Sequence, residues 1–116
     1  MIIRILIVIF CVLSISAQDI EEKIEKGARY LYQGDYLMAG DYLKKLVKDS
    51  DFKTGGEELV EYYRITGEYD KALEIAKQMS KNKALEVKGK ILTGEILMIL
   101  GKYAEAKNSF LEAYSI

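Results

Sequence analysis

The sequence predicts an all-α chain arranged as an α-solenoid, a stack of helix pairs. Three observations carry this. The string G-x-Y-x-x-A occurs three times, as Gly34, Tyr36, Ala39, as Gly67, Tyr69, Ala72 and as Gly101, Tyr103, Ala106. Its glycines stand 33 and then 34 residues apart, and a fixed period of this size is the signature of a stacked repeat. There is no proline, and Lys, Glu, Ile, Leu and Tyr, most of which suit helices, dominate.

A chain of 116 residues is at most one domain and can bury only a modest core. A repeat array escapes that limit, because each unit contacts its neighbours and stability accumulates along the stack. The formal net charge is −1, which leaves no basic stripe to mark a nucleic-acid partner. Histidine is absent, removing the commonest general base and metal ligand. Cys11 is the one cysteine, so the rest of the chain has no disulfide and no thiol chemistry. No cofactor is expected.

Met1–Ala17 has one early charge, Arg4, then an apolar run from Ile5 to Leu13, then Ser14, Ile15, Ser16 and Ala17. This order describes a secretory signal peptide cleaved after Ala17. A buried first helix and an uncleaved membrane anchor are the alternatives, although the run is shorter than the ~20 residues that span a bilayer. Cys11 follows Val8, Ile9 and Phe10, so it does not resemble a bacterial lipoprotein attachment site. Residues 18–116 then form the repeat domain, with units at about 20–52, 53–86 and 87–116.

Asp19, with Glu22 three residues on, opens the first helix. Ile20, Ile24, Ala28 and Leu31 carry it at three- and four-residue spacing to about Gln33. Gly34 turns the chain, since glycine tolerates positive φ. The second helix runs from Tyr36 to about Lys48 with Leu43, Leu46 and Val47 inward, and Asp49, Ser50 and Asp51 make a polar turn. Thr54 with Glu57 is a capping-box pattern for the third helix, whose apolar content is Leu59, Val60, Tyr62 and Tyr63. After Gly67 the fourth helix spans Tyr69 to Ser80, with Ala72, Leu73, Ala76 and Met79 on one side. Asn82 caps the fifth, expected to be the longest and to reach Leu100. The sixth runs from Tyr103 to Ile116. Gly89 and Gly94 fall inside the fifth helix, where each costs roughly 1 kcal/mol against alanine. Close approach of another helix accounts for Gly94; the sequence offers no reason for Gly89.

Three helix pairs at this period resemble tetratricopeptide repeats. The third unit fits best, with Thr93, Gly94 and Leu97, then Ala106, Phe110 and Ala113. The first gives Gly27 and Tyr30, then Ala39 and Leu43. The second gives Leu59, Val60 and Tyr63, then Ala72 and Ala76. The resemblance covers Ile20 to Ile116 and implies a right-handed superhelix. Small groups at Gly27, Ala39, Ala72, Gly94 and Ala106 would let paired helices touch. Larger ones at Tyr36, Tyr69, Tyr103, Leu43 and Phe110 would fill the spaces between pairs. The chain departs from the pattern in two ways. No unit has the closing proline, and the aromatic expected early in each first helix is replaced by Lys23, Gly56 and Lys90.

The resemblance also implies a concave groove lined by the first helix of each pair. The matching positions are Ile24, Ala28, Leu31 and Tyr32; then Glu57, Glu61, Arg64 and Ile65; then Lys88, Ile91, Glu95, Met98 and Ile99. Such a surface has apolar walls and an acidic middle, suited to an extended or helical peptide with apolar anchors and one basic residue. A solvated helix face is the bland alternative for Glu57, Glu61 and Arg64. The family's carboxylate clamp for chaperone tails needs Lys and Asn where Ile24 and Ala28 stand, so that ligand is not expected.

Tetratricopeptide arrays usually end in a polar capping helix, whereas this sequence stops on the apolar Leu111, Tyr114 and Ile116. Either the native chain is longer, or this end meets a partner or its own copy as a homo-oligomer. The leading expectation is therefore an exported, non-catalytic scaffold of the bacterial periplasm or cell envelope, binding a peptide or partner protein. It would touch a membrane only through an uncleaved N-terminal segment. The alternative is an oligomerising segment of a larger envelope protein. An enzyme is not expected: Glu57 and Glu61 are spaced i,i+4 on one helix, but no nucleophile–base pair, metal cluster or phosphate loop accompanies them.

Overall fold

Each of the three repeated glycines ends a helix in the same way. In the computed structural model, which describes the backbone from Ile2 and the side chains of Arg4 and residues 17–116, Gly34, Gly67 and Gly101 all have φ +76°. The glycine N–H donates to the carbonyl three residues back, and the next N–H donates to the carbonyl five back. These bonds are Gly34 to Leu31 and Asp35 to Tyr30, Gly67 to Arg64 and Glu68 to Tyr63, and Gly101 to Met98 and Lys102 to Leu97. That pair of bonds is the Schellman motif, which satisfies the last carbonyls of a helix and needs a left-handed residue. The residue after each glycine is already the N-cap of the next helix: Asp35, Glu68 and Lys102, with ψ of 71°, 63° and 66°. Each connection is thus a three-residue reversal, which forces the flanking helices side by side.

The elements are α1 (Ile2–Tyr32), α2 (Tyr36–Asp49), α3 (Gly56–Ile65), α4 (Tyr69–Ser80), a 3-10 turn (Lys83–Leu85), α5 (Glu86–Ile99) and α6 (Tyr103–Tyr114). No strand occurs among the described residues. Every helix packs on the next one in sequence, and α1 also reaches α3. One apolar core runs from Leu31 in α1 to Ile96 in α5, with Leu43, Leu59, Val60 and Ile96 fully buried.

Within each pair the contact combines one small and one large residue. A Cβ on Gly27 would stand 2.5 Å from the Leu43 side chain, and one on Gly94 would stand 2.5 Å from the Phe110 ring. In the middle pair a Cβ on Gly56 would stand 2.8 Å from the Met79 sulfur. In each pair the glycine lies on the first helix, and a larger side chain of the second fills the space it leaves.

Gly89 now has its reason. A Cβ there would lie 2.5 Å from the Ser80 backbone N, 2.8 Å from its Cα and 2.9 Å from the Ala76 carbonyl oxygen. Helices α4 and α5 meet backbone to backbone at this point. Helix α6 is tied to α5 by a buried hydroxyl: Ser109 Oγ donates to the Lys90 carbonyl at 2.7 Å. Lys90 Nζ in turn reaches Glu112 at 3.2 Å and Glu86 at 3.6 Å.

Several expected boundaries are corrected. The first helix does not begin at Asp19; it runs from Ile2, because neither glycine nor proline interrupts it, and Asp19 pairs with Lys23 at 3.0 Å. The leader expectation falls on Met1–Ala17, where only Arg4 and Ala17 have described side chains. Thr54 does not cap α3. Its N–H is taken by Ser50 Oγ at 3.0 Å, and Gly55, at φ +82°, holds the N-cap position instead. Asn82 caps the 3-10 turn through the Ala84 N–H at 3.0 Å, so α5 begins only at Glu86 and is shorter than α1. Helix α6 stops at Tyr114, with Ser115 as its C-cap. Tyr36 and Tyr103, the first residues of their helices, stand exposed at the layer edge, while Tyr69 packs on the core.

Candidate functional site

Helices α1, α3 and α5 surround a cleft of about 390 Å³. They share it because each short glycine turn returns the chain to the other side, so alternate helices lie on one face. Ala28, Leu31 and Tyr32 come from α1; Glu57, Glu58, Val60, Glu61, Arg64 and Ile65 from α3; Lys88, Ile91, Leu92 and Glu95 from α5. Leu31, Val60 and Leu92 are buried and form the floor. Ile65, Ile91 and Tyr32 stand exposed around it, Tyr32 at 91 %. The lining thus combines seven apolar or aromatic residues with six charged ones, and a concavity that joins apolar surface to convergent polar groups is the usual form of a binding site.

The charges are organised into bridges between helices. Lys88 Nζ on α5 meets Glu57 Oε1 on α3 at 3.3 Å. Arg64 on α3 reaches Glu61 at 3.4 Å and Glu95 on α5 at 3.8 Å. The two cations of the lining are therefore engaged by three of its four carboxylates. The fourth, Glu58, is half-buried and has no ion pair among the described residues. Burial raises its pKa above the usual carboxylate value. Its own backbone N–H opposes this, the Glu57 charge adds to it, and Lys88 offsets part of it.

Most of the groove positions expected from sequence meet in this cleft. Ala28, Leu31, Tyr32, Glu57, Glu61, Arg64, Ile65, Lys88, Ile91 and Glu95 all line it. Ile24, Met98 and Ile99 do not. Ile24 lies a helical turn before Ala28 on α1, and Met98 and Ile99 lie at the end of α5 beside the Gly101 turn. Sequence reasoning missed Glu58, Val60 and Leu92. Val60 belongs to the apolar content expected of the third helix, and Leu92 carries no expectation; both lie in the core, whose outer surface is the cleft floor. Glu58 is three residues before Glu61, a helical neighbour spacing that could have placed it.

Glu57 and Glu61 each face a cation, Lys88 and Arg64 respectively. Among the described residues no group of His, Cys, Asp and Glu could hold a metal ion. Among them, too, no helix is long and apolar enough to cross a membrane. At the other end of the chain, Leu111, Tyr114 and Ile116 are exposed, Tyr114 at 92 %.

No protein-family model matches the chain, and no curated protein matches it.

Proposed function

We propose that this chain is a non-catalytic binding module, a tetratricopeptide-like array of three helix pairs that holds a peptide segment of a partner protein in the α1–α3–α5 cleft. The observation that carries the reading is the convergence of alternate helices on one concavity with an apolar floor and bridged charges. Three turns of one geometry and a small–large contact within each pair support the repeat reading. The leader-like Met1–Ala17 supports export to the periplasm or cell envelope.

Selection from a displayed peptide library tests this reading. The Ile91→Asp variant places a charge on the cleft wall at a position already exposed. Peptides should be retained by the wild-type chain and lost on the variant. A selection that yields nothing, or yields peptides held equally by both, contradicts it.

A second reading has its own observation. Leu111 and Tyr114 on α6, with Ile116 just beyond it, present an exposed apolar surface, which suits association between copies or with further repeats. It predicts a mass that rises with concentration and falls back on substituting Leu111→Glu with Tyr114→Glu.

A further inference from the structure

The cleft lining carries Glu57, Glu58, Glu61 and Glu95 against Arg64 and Lys88. Both cations are already spent within the fold, Lys88 on Glu57 at 3.3 Å and Arg64 on Glu61 and Glu95 at 3.4 and 3.8 Å. A segment laid on the apolar floor would remove water from Glu58, and a desolvated charge without a partner is costly. An acidic segment adds repulsion to that cost. A neutral apolar segment leaves it unrelieved. A cationic side chain relieves it with a charge-assisted hydrogen bond. The same excess of carboxylates disfavours a phosphate backbone.

We propose that the segment bound in this cleft carries a lysine or arginine that pairs with Glu58, flanked by apolar side chains that pack on Leu31, Ile65 and Ile91. The proposal rests on the peptide-site reading and deepens it by naming the specificity residue. Glu58 is the residue that distinguishes a basic from a neutral ligand, while Glu57, Glu61 and Glu95 are satisfied internally and contribute little to that choice. The raised pKa of Glu58 agrees with a carboxylate that its surroundings leave poorly compensated.

The test uses three capped, fluorescein-labelled octapeptides with centres Leu-Lys-Leu, Leu-Gln-Leu and Leu-Glu-Leu. Each is titrated against the full chain by fluorescence anisotropy at low salt, where surface charge is least screened. The Lys peptide should bind about tenfold more tightly than the Gln peptide, the scale of one charge-assisted contact, and the Glu peptide most weakly. In Glu58→Gln the Lys and Gln peptides should bind within about twofold of each other. In Glu61→Gln the preference for Lys should persist. Circular dichroism establishes that each variant keeps its helix content.

Equal binding of the Lys and Gln peptides to the wild type overturns the proposal, and so does a preference that survives Glu58→Gln. If in either case Ile91→Asp still abolishes binding, the peptide-site reading stands without the charge rule. If no peptide binds, or binding survives Ile91→Asp, that reading falls and this proposal falls with it.

Discussion

Asp51 and Phe52 are adjacent residues with positive φ, 53° and 62°. Asp51 ends α2 with the bonds that glycine makes elsewhere: its N–H donates to the Lys48 carbonyl, and the Phe52 N–H to that of Val47. An L residue in this conformation costs roughly 1–2 kcal/mol. Asp51→Gly should therefore stabilise the fold by roughly 0.5–1 kcal/mol after the extra flexibility of glycine is counted, read as a rise in the urea midpoint. Glu58 makes a second prediction. Its folded pKa is raised, so the ionised side chain costs stability above that folded value. The cost disappears as pH falls below the unfolded carboxylate range near ~4.3. Glu58→Gln should be more stable than wild type at neutral pH, and the gap should close toward pH 4. An equal gap at both pH values would contradict the burial argument. The turn at Asp51 was legible but its left-handed backbone was not, and Glu58 went unread although its spacing from Glu61 carried a signal. A left-handed Asp leaves no mark on a hydrophobic pattern, and Glu58 looks like any charge in a first helical turn.

The elements were legible where a repeated local rule fixes them. Gly34, Gly67 and Gly101 mark turns because only a left-handed residue completes the motif, and the helices between them followed. The capping box at Thr54 misled because Gly55, one residue later, takes the N-cap conformation and Ser50 captures the Thr54 amide. Gly89 was opaque for another reason: backbone-to-backbone contact is a property of two helices and cannot be seen in one. The two glycines of α5 should respond differently to alanine. At Gly89 the new Cβ meets the backbone of Ser80 and Ala76, which cannot yield locally. Gly89→Ala should cost roughly 1–3 kcal/mol despite better helix propensity. At Gly94 the obstacle is the edge of the half-buried Phe110 ring, which can rotate away, so Gly94→Ala should cost less. Equal thermal melts for the two variants would contradict this. Ser109→Ala removes the hydroxyl that joins α6 to the Lys90 carbonyl and should cost about 1 kcal/mol.

The repeat in sequence sets α1, α3 and α5 around one cleft. Most of the lining followed from the repeat register, since equivalent positions of equivalent helices must point the same way. The limits of the cleft did not. Ile24, Met98 and Ile99 share that register but do not line the cleft, and the extent of a concavity is not fixed by the period. The exposed Leu111, Tyr114 and Ile116 give the molecule a second surface whose use would show as self-association. The most direct measurement is therefore one that sees both surfaces at once: amide nitrogen–proton spectra of the labelled chain during titration with the Leu-Lys-Leu peptide. The account predicts shifts concentrated at Leu31, Glu58, Ile65, Ile91 and their neighbours on α1, α3 and α5. Shifts confined to Leu111–Ile116, or spread over α2 and α4 with the cleft silent, would contradict it.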